Sequence, residues 1–303
     1  MKLLVLGGNG QVGFELLRSL APLGEVLATT RTGQLPDGRP CITADLSDLA
    51  SLPALLDRAE ADVVVNATAY TAVDKAESQP GLAHRINAEA PAALAAACAT
   101  AGIGLVHFST DYVFDGEGSR PYREDDATAP LGVYGASKWA GEQAVRDSGA
   151  EHRIFRLSWV YGPRGANFLL TMLRLARERG HLRVVADQVG APTAAHRIAD
   201  GVARSLVRQP RATGTWHLSA EGQASWHDFA AAIFDGAVER GLLASAPGLE
   251  AIPGSAYPTP ARRPAYSRLD TGRFQRDFGL HIGDWRQGLG EVLDQLASGS
   301  RAP

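Results

Sequence analysis

The sequence predicts an α/β fold, a doubly wound parallel sheet with a smaller C-terminal lobe, on three observations. Short apolar runs alternate with helix-period segments from the first residues onward. Those runs are unbroken rather than alternating, which suits strands covered on both faces. A glycine-rich turn separates the first run from the first helical segment. With 303 residues, 45% of them hydrophobic, the chain can bury the core of one large α/β unit or two modest ones.

Taken in order, residues 3–6, 26–30, 63–67, 104–109 and 154–157 read as buried strands. Between them, Val12, Leu16, Leu17 and Leu20 form one apolar helical face, and Leu52, Leu55 and Leu56 another. An alanine-rich stretch over 88–101 predicts a third helix, and residues 134–146 a fourth. This alternation implies right-handed crossovers. After about residue 160 the rhythm loosens into a helix over 166–179, a strand over 182–187, a loop over 188–193 and another helix. Proline patches at 36–40 and 253–264 read as loops. The division expected is 1–160 and 161–303, with interleaved boundaries and the second part lying over the carboxyl edge of the sheet, where open α/β sheets bind ligands.

Composition excludes several classes of function. Thirty Lys and Arg against 33 Asp and Glu leave a net charge of −3, which gives no attraction for a nucleic-acid polymer or an anionic membrane. Cys41 and Cys98 are too few and too far apart for a disulfide framework or a CxxC site. No apolar run reaches the roughly 18 residues of a membrane span. The opening MKLLVLGGNG is too short in apolar residues for a signal peptide, so a soluble, cytoplasmic protein is expected. The histidines show no HExxH or other close ligand spacing, and no catalytic metal is expected.

Directly after the first strand, Gly7-Gly8-Asn9-Gly10-Gln11-Val12-Gly13 reads GxxGxxG. Glycine is needed where the chain turns tightly, where backbone N–H groups approach a pyrophosphate, and where helix meets strand. The following helix directs its positive end at that phosphate. The sheet is therefore expected to be of Rossmann type, with 1–160 as an NAD(P)-binding domain and 161–303 mainly a substrate-binding lobe. The second strand ends Ala28-Thr29-Thr30-Arg31 without a carboxylate for the adenosine ribose. NADPH is favoured, with Arg31 near the 2′-phosphate, and NADH stays open. Asp45 is placed either to accept from the adenine amine or to cap a helix before Leu49.

Tyr134 and Lys138 stand at i and i+4 of the fourth helix, so phenol and ammonium share a face. A nearby ammonium lowers the pKa of a phenol and fits it to protonate an alkoxide formed by hydride transfer. The run His107-Phe108-Ser109-Thr110-Asp111 ends a strand at the ligand edge, where Ser109 or Thr110 can polarise a carbonyl and the other can bond locally to backbone.

Glycine loop, hydroxyl and YxxxK follow one another in the order of the extended short-chain dehydrogenase/reductases. The segments 66–77, 108–116, 134–142, 156–162, 167–176, 187–195 and 262–271 further resemble the dTDP-4-dehydrorhamnose reductase family, over roughly residues 1–290. The resemblance implies reduction of dTDP-4-dehydro-β-L-rhamnose to dTDP-L-rhamnose by Thr110, Tyr134 and Lys138, with Lys138 also on the nicotinamide ribose. It implies cofactor contacts from Gly10, Gln11, Val12, Asp45, Leu46, Ala69, Tyr70 and Thr71. It places Thr110, Asp111, Tyr134 and Trp159 against the deoxysugar, and Asn167 and Phe168 along the nucleotide diphosphate.

The chain departs from the pattern twice. Thr30 stands where some relatives carry an acid, which favours NADPH. His196 stands where the family often has a glutamate of a Mg²⁺ site at a dimer contact, although Glu15 is retained. Metal-bridged dimerisation is thereby weakened, and monomer and homodimer both stay open. Other readings at this point are a reductase of another nucleotide-linked 4-keto-deoxysugar and a non-catalytic NAD(P)-binding regulatory subunit, like that of methionine adenosyltransferase. A dehydratase fits less well, because Thr110-Asp111-Tyr112 lacks the dehydratases' Asp-Glu pair.

Overall fold

The computed structural model describes residues 1–299; residues 300–303 of the expected C-terminal lobe lie outside them. The first half runs β1 (Lys2–Leu6), α1 (Gln11–Leu20), β2 (Glu25–Thr30), β3 (Ile42–Thr43), α2 (Leu52–Ala59), β4 (Val63–Asn66), α3 (Val73–Ser78), α4 (Pro80–His84), α5 (Ala90–Ala101), β5 (Gly104–Thr110), α6 (Val133–Asp147) and β6 (His152–Leu157). The second continues with β7 (Val160–Tyr161), α7 (Phe168–Glu178), β8 (His181–Val185), β9 (Val189–Gly190), β10 (Thr193–Ala194), α8 (Ala195–Arg208), β11 (Gly214–His217), β12 (Ala224–Ser225), α9 (Trp226–Glu239), β13 (Gly248–Ile252), α10 (Gly272–Phe278) and α11 (Trp285–Gly299).

Seven strands form one parallel sheet in the order β11-β6-β5-β4-β1-β2-β3. The order reverses at β1, between β4 and β2, which opens a crevice at their carboxyl ends. The continuous apolar runs are explained by two-sided burial. Leu3, Val5, Val65 and Val106 face the layer containing α1, α7 and α8. Their neighbours Leu4, Leu6, Val64 and Leu105 face α2 and α5. None of these eight side chains is more than marginally exposed.

The second half does not stand apart from the first. Strand β11 completes the main sheet against β6, and α8 packs along α1, where Ser19 donates to Asp200 at 2.5 Å. The rest builds a lobe over the carboxyl edge. There β8 pairs with β13 in parallel, and the Ser225–Asp228 capping box starts α9. Residues 188–193, expected as loop, instead hold β9, paired with β12, and the start of β10, paired with β7. Two-residue strands carry too little periodicity to be read from sequence.

Helix α6 is anchored by a buried ion pair. Arg156 on β6 donates through Nε to Glu142 Oε1 at 3.0 Å and through Nη2 to Oε2 at 2.9 Å. Both side chains are inaccessible to solvent, at 1% and 0% exposure. Arg146 adds a bond to Glu142 at 2.6 Å, and the Arg156 guanidinium lies 5.1 Å from the Phe114 ring centre. Removing one partner of such a pair leaves an uncompensated buried charge. Glu142→Gln is therefore expected to lower the unfolding free energy by about 3–5 kcal/mol in chemical denaturation. A loss below about 1 kcal/mol would place the pair among surface-like ion pairs and contradict this account.

Candidate active site

The glycine loop folds back on the sheet before it meets the helix. Gly7 and Gly8 donate to Thr29 O at 3.1 and 2.9 Å, and Gly10 donates to Gly7 O at 2.9 Å. Gly7 has φ +83°, and a Cβ added to Gly13 would stand 2.1 Å from Gly7 O. Helix α1 thus starts hard against the loop, and its N-cap, Gly10, brings no capping side chain. Its first N–H groups are left for a ligand.

A cleft of about 480 Å³ opens there. Of the residues expected at a cofactor, Gly7, Gly10, Arg31, Asp45, Leu46, Ala69, Tyr70 and Thr71 line it. Gln11, Val12 and Gly13 lie behind. The Gln11 amide accepts from Asn167 Nδ2 at 2.8 Å, Val12 packs against the core, and Gly13 abuts Gly7. Thr30 is turned inward, exchanging hydrogen bonds with the Gln34 backbone at 3.1 Å, so no side chain there offers a carboxylate. Asp45 caps no helix: it accepts from Ser47 N at 2.9 Å. That bond holds its carboxyl below the usual range, with a smaller contribution from Arg31. Bare backbone at the helix start and a cation at the far end fit a phosphorylated dinucleotide.

The loop after β4 is fixed by a residue that sequence reasoning missed. Asn87, fully buried, accepts from Tyr70 N at 2.8 Å and donates to Tyr70 O and to Ser137 Oγ, both at 3.0 Å. It sits in a π turn over Arg85–Glu89, just before α5. Gly141 of α6 packs on the same turn, since a Cβ there would lie 2.0 Å from Asn87 O. No local pattern marks it, since Asn87 stands among His84, Arg85 and Glu89.

Strand β5 delivers Thr110 and helix α6 delivers Tyr134 and Lys138 to the carboxyl edge. The Tyr134 phenol lies beside the Thr110 hydroxyl, and burial pushes its pKa up to about 12. The edge of Tyr112 braces its ring, with centroids 5.6 Å apart. Lys138 Nζ donates to Phe108 O at 2.6 Å, and burial pushes the ammonium down to about 8. Thr110 is thus the hydroxyl beside the phenol; Ser109 Oγ is buried with no hydrogen-bond partner in the described structure.

Asp111, 2% exposed, lies behind Thr110 rather than open to the cleft. It accepts from Thr110 Oγ1 at 3.0 Å and Ser158 Oγ at 2.9 Å. Burial raises its carboxyl to about 6 against the bonds from Ser267, Ser158 and Thr110. Next to Ser158, Trp159 has φ +44° and lies flat on Trp226, centroids 3.4 Å apart and planes within 1°. Trp226 was not found from sequence. Asn167 caps α7, accepting from Leu170 N at 3.0 Å, while Phe168 packs on Trp226.

The residues around His196 do not fit a bound Mg²⁺. His196 Nε2 lies 2.6 Å from Glu291 Oε2, and Arg197 grips the same carboxylate at 2.8 and 2.6 Å. Arg197 holds Glu291 down at about 2, so this carboxylate already carries its cation. Glu15 pairs with Arg18. Among the described residues no group of three His, Cys, Asp or Glu is placed to hold a metal ion.

A phenol beside a hydroxyl, one helical turn from a buried ammonium and at the same carboxyl edge as the cleft of the glycine loop, is equipped for carbonyl–alcohol redox chemistry. The profile of the RmlD substrate binding domain matches residues 1–298. dTDP-4-dehydrorhamnose reductase of Shigella flexneri is 46% identical over 98% of both chains. That of Burkholderia thailandensis is 47% identical over 98% of this chain and 100% of its own. The crystal structure of dTDP-4-dehydrorhamnose reductase from Bacillus anthracis in complex with NADP superposes with a TM-score of 0.88 at 32% identity, covering 97% of this chain and 100% of that one. The chain belongs to the RmlD substrate binding domain family, among the dTDP-4-dehydrorhamnose reductases.

Proposed function

We propose that this protein reduces the 4-keto group of dTDP-4-dehydro-β-L-rhamnose to give dTDP-L-rhamnose, using NADPH, with NADH accepted less well. The observation that carries the reading is the Thr110–Tyr134–Lys138 constellation: the Thr110 hydroxyl lies beside the Tyr134 phenol, and Lys138 is buried one turn further along α6. NADPH, when bound, supplies the hydride to the carbonyl carbon. Thr110 Oγ1 donates to the carbonyl oxygen and polarises it. Tyr134 gives its proton to that oxygen as negative charge develops, and solvent restores the phenol. Lys138 stabilises the phenolate left behind and holds the ribose of the cofactor.

The Trp159 indole offers a flat apolar wall to the methyl-bearing sugar, and Asp111 accepts from Thr110 until the carbonyl takes its place. The partner is a small nucleotide-linked sugar, not a nucleic-acid polymer. A cytoplasmic location belongs to the same proposal, since the reaction draws on pools of nicotinamide cofactor and nucleotide sugar. Among the described residues no helix is long and apolar enough to cross a membrane.

Loss of absorbance at 340 nm with this substrate is expected with NADPH and more slowly with NADH; no oxidation of either would contradict the reading. Tyr134→Phe is expected to lower kcat by about 10²–10⁴ while NADPH still binds. Lys138 must stay charged to stabilise the phenolate, and its ammonium is held at about 8. The rate should therefore fall as pH rises through about 8, with Tyr134, raised to about 12, still protonated. Arg31→Ala should raise the KM for NADPH by about tenfold or more and leave that for NADH nearly unchanged. Equal effects on both cofactors would remove Arg31 from the 2′-phosphate.

A further inference from the structure

Beneath the catalytic lysine lies a histidine that this chemistry does not use. His107 of β5 is completely buried, and its register partner on β4, Asn66, is 1% exposed. His107 Nε2 stands 3.5 Å from Lys138 Nζ, and His107 Nδ1 stands 3.3 Å from Asn66 Nδ2.

The orientation of Asn66 is fixed by a group that can only donate. Thr68 N donates to Asn66 Oδ1 at 3.1 Å, and the Thr68 hydroxyl donates to the same oxygen at 2.6 Å. The amide oxygen therefore faces Thr68 and the amide NH₂ faces His107. An NH₂ group has no lone pair to give, so His107 Nδ1 is the acceptor. Burial, helped by the Lys138 charge, drives the ring well below its ordinary pKa, so it is neutral. A neutral ring with Nδ1 accepting carries its single proton on Nε2.

We infer that His107 is a positioning residue for Lys138: locked by Asn66 as the Nε2–H tautomer, it presents an N–H rather than a lone pair to the catalytic ammonium. On its inner side Lys138 then has one acceptor, the Phe108 carbonyl. Its remaining protons are then left to donate to another acceptor, such as a ribose hydroxyl. The same N–H can donate to the neutral amine but not to the ammonium, so it favours loss of the lysine proton. The other groups that bear on Lys138 are Glu142, whose charge favours the ammonium, and Tyr134 one turn earlier on α6. The functional consequence rests on the proposed reductase reading; the tautomer does not.

Two measurements separate those parts. In long-range ¹H–¹⁵N spectra of histidine-labelled protein, assigned with His107→Gln, the ring is expected as the neutral Nε2–H form from pH 6 to 9. An Nδ1–H tautomer or an imidazolium would overturn the inference. In Asn66→Asp the carboxylate has no donor, so it should accept a hydrogen bond from Nδ1–H, which moves the ring proton off Nε2 and frees Nε2 to accept from Lys138. The Lys138 ammonium, followed by its ¹³Cε shift, should then titrate about one pH unit higher than in the Asn66→Asp, His107→Gln double variant, which carries the same charge without the ring. The alkaline limb of kcat/KM should move with it. If the tautomer flips and Lys138 titrates unchanged, His107 is a packing residue and the inference fails. If Lys138 moves as expected in a chain without reductase activity, the reductase reading fails and the positioning role stands.

Discussion

Helix α6 carries Tyr134, Lys138 and Glu142 at successive turns of one face, and the third of these holds the other two in place. Glu142 is bonded to Arg156 on β6, and Arg156 also reaches Glu124 O at 3.2 Å and faces the His217 ring of β11 at 3.4 Å. That ring is kept neutral by burial, with the Arg156 charge acting in the same direction. One buried charge pair thus joins α6, the central sheet and the strand contributed by the second half of the chain. Moving α6 by an ångström would separate the pair in a low-dielectric interior, where an unpaired charge is costly. The precision of this helix face comes from that penalty more than from helix propensity.

Around this anchor, burial sets the ionisation of the proposed catalytic groups in a useful order. The phenol is raised, so it stays a proton donor through neutral pH, while the lysine is lowered toward it. Asp111, raised to about 6, completes a line of hydroxyls behind Thr110 without facing the cleft. In the structure Thr110 Oγ1 accepts from Tyr112 N at 3.2 Å and donates to Asp111 Oδ1 at 3.0 Å, with the phenol beside it. A substrate carbonyl has only to replace Asp111 as the acceptor for Thr110.

The parts of this that sequence makes legible are those with local patterns. The five long strands, the GxxGxxG turn, and the Tyr134/Lys138 pair follow from burial period, backbone clearance and helix pitch. Arg31 and Asp45 follow from their place after strands, and structure brings them to the same cleft. What is not legible is set by partners distant in the chain. Asn87 acts through Tyr70 and Ser137, 17 and 50 residues away. The role of His107 depends on which way Asn66 points, and that is decided by Thr68. Trp226 matters because it stacks on Trp159, across a β-bridge and a helix start that no period announces. Gln11 and Val12 illustrate the reverse: a motif names them, yet their side chains turn toward Asn167 and the core.

The central claim is that this face of α6 directs a hydride and a proton to opposite ends of one carbonyl. Reduction of dTDP-4-dehydrorhamnose with NADPH deuterated at the transferable C4 position tests it most directly, with the product read by NMR. The account predicts a single deuterium on C4 of the sugar in dTDP-L-rhamnose, with none at C3 or C5. Unlabelled product, or label at another carbon, would contradict it.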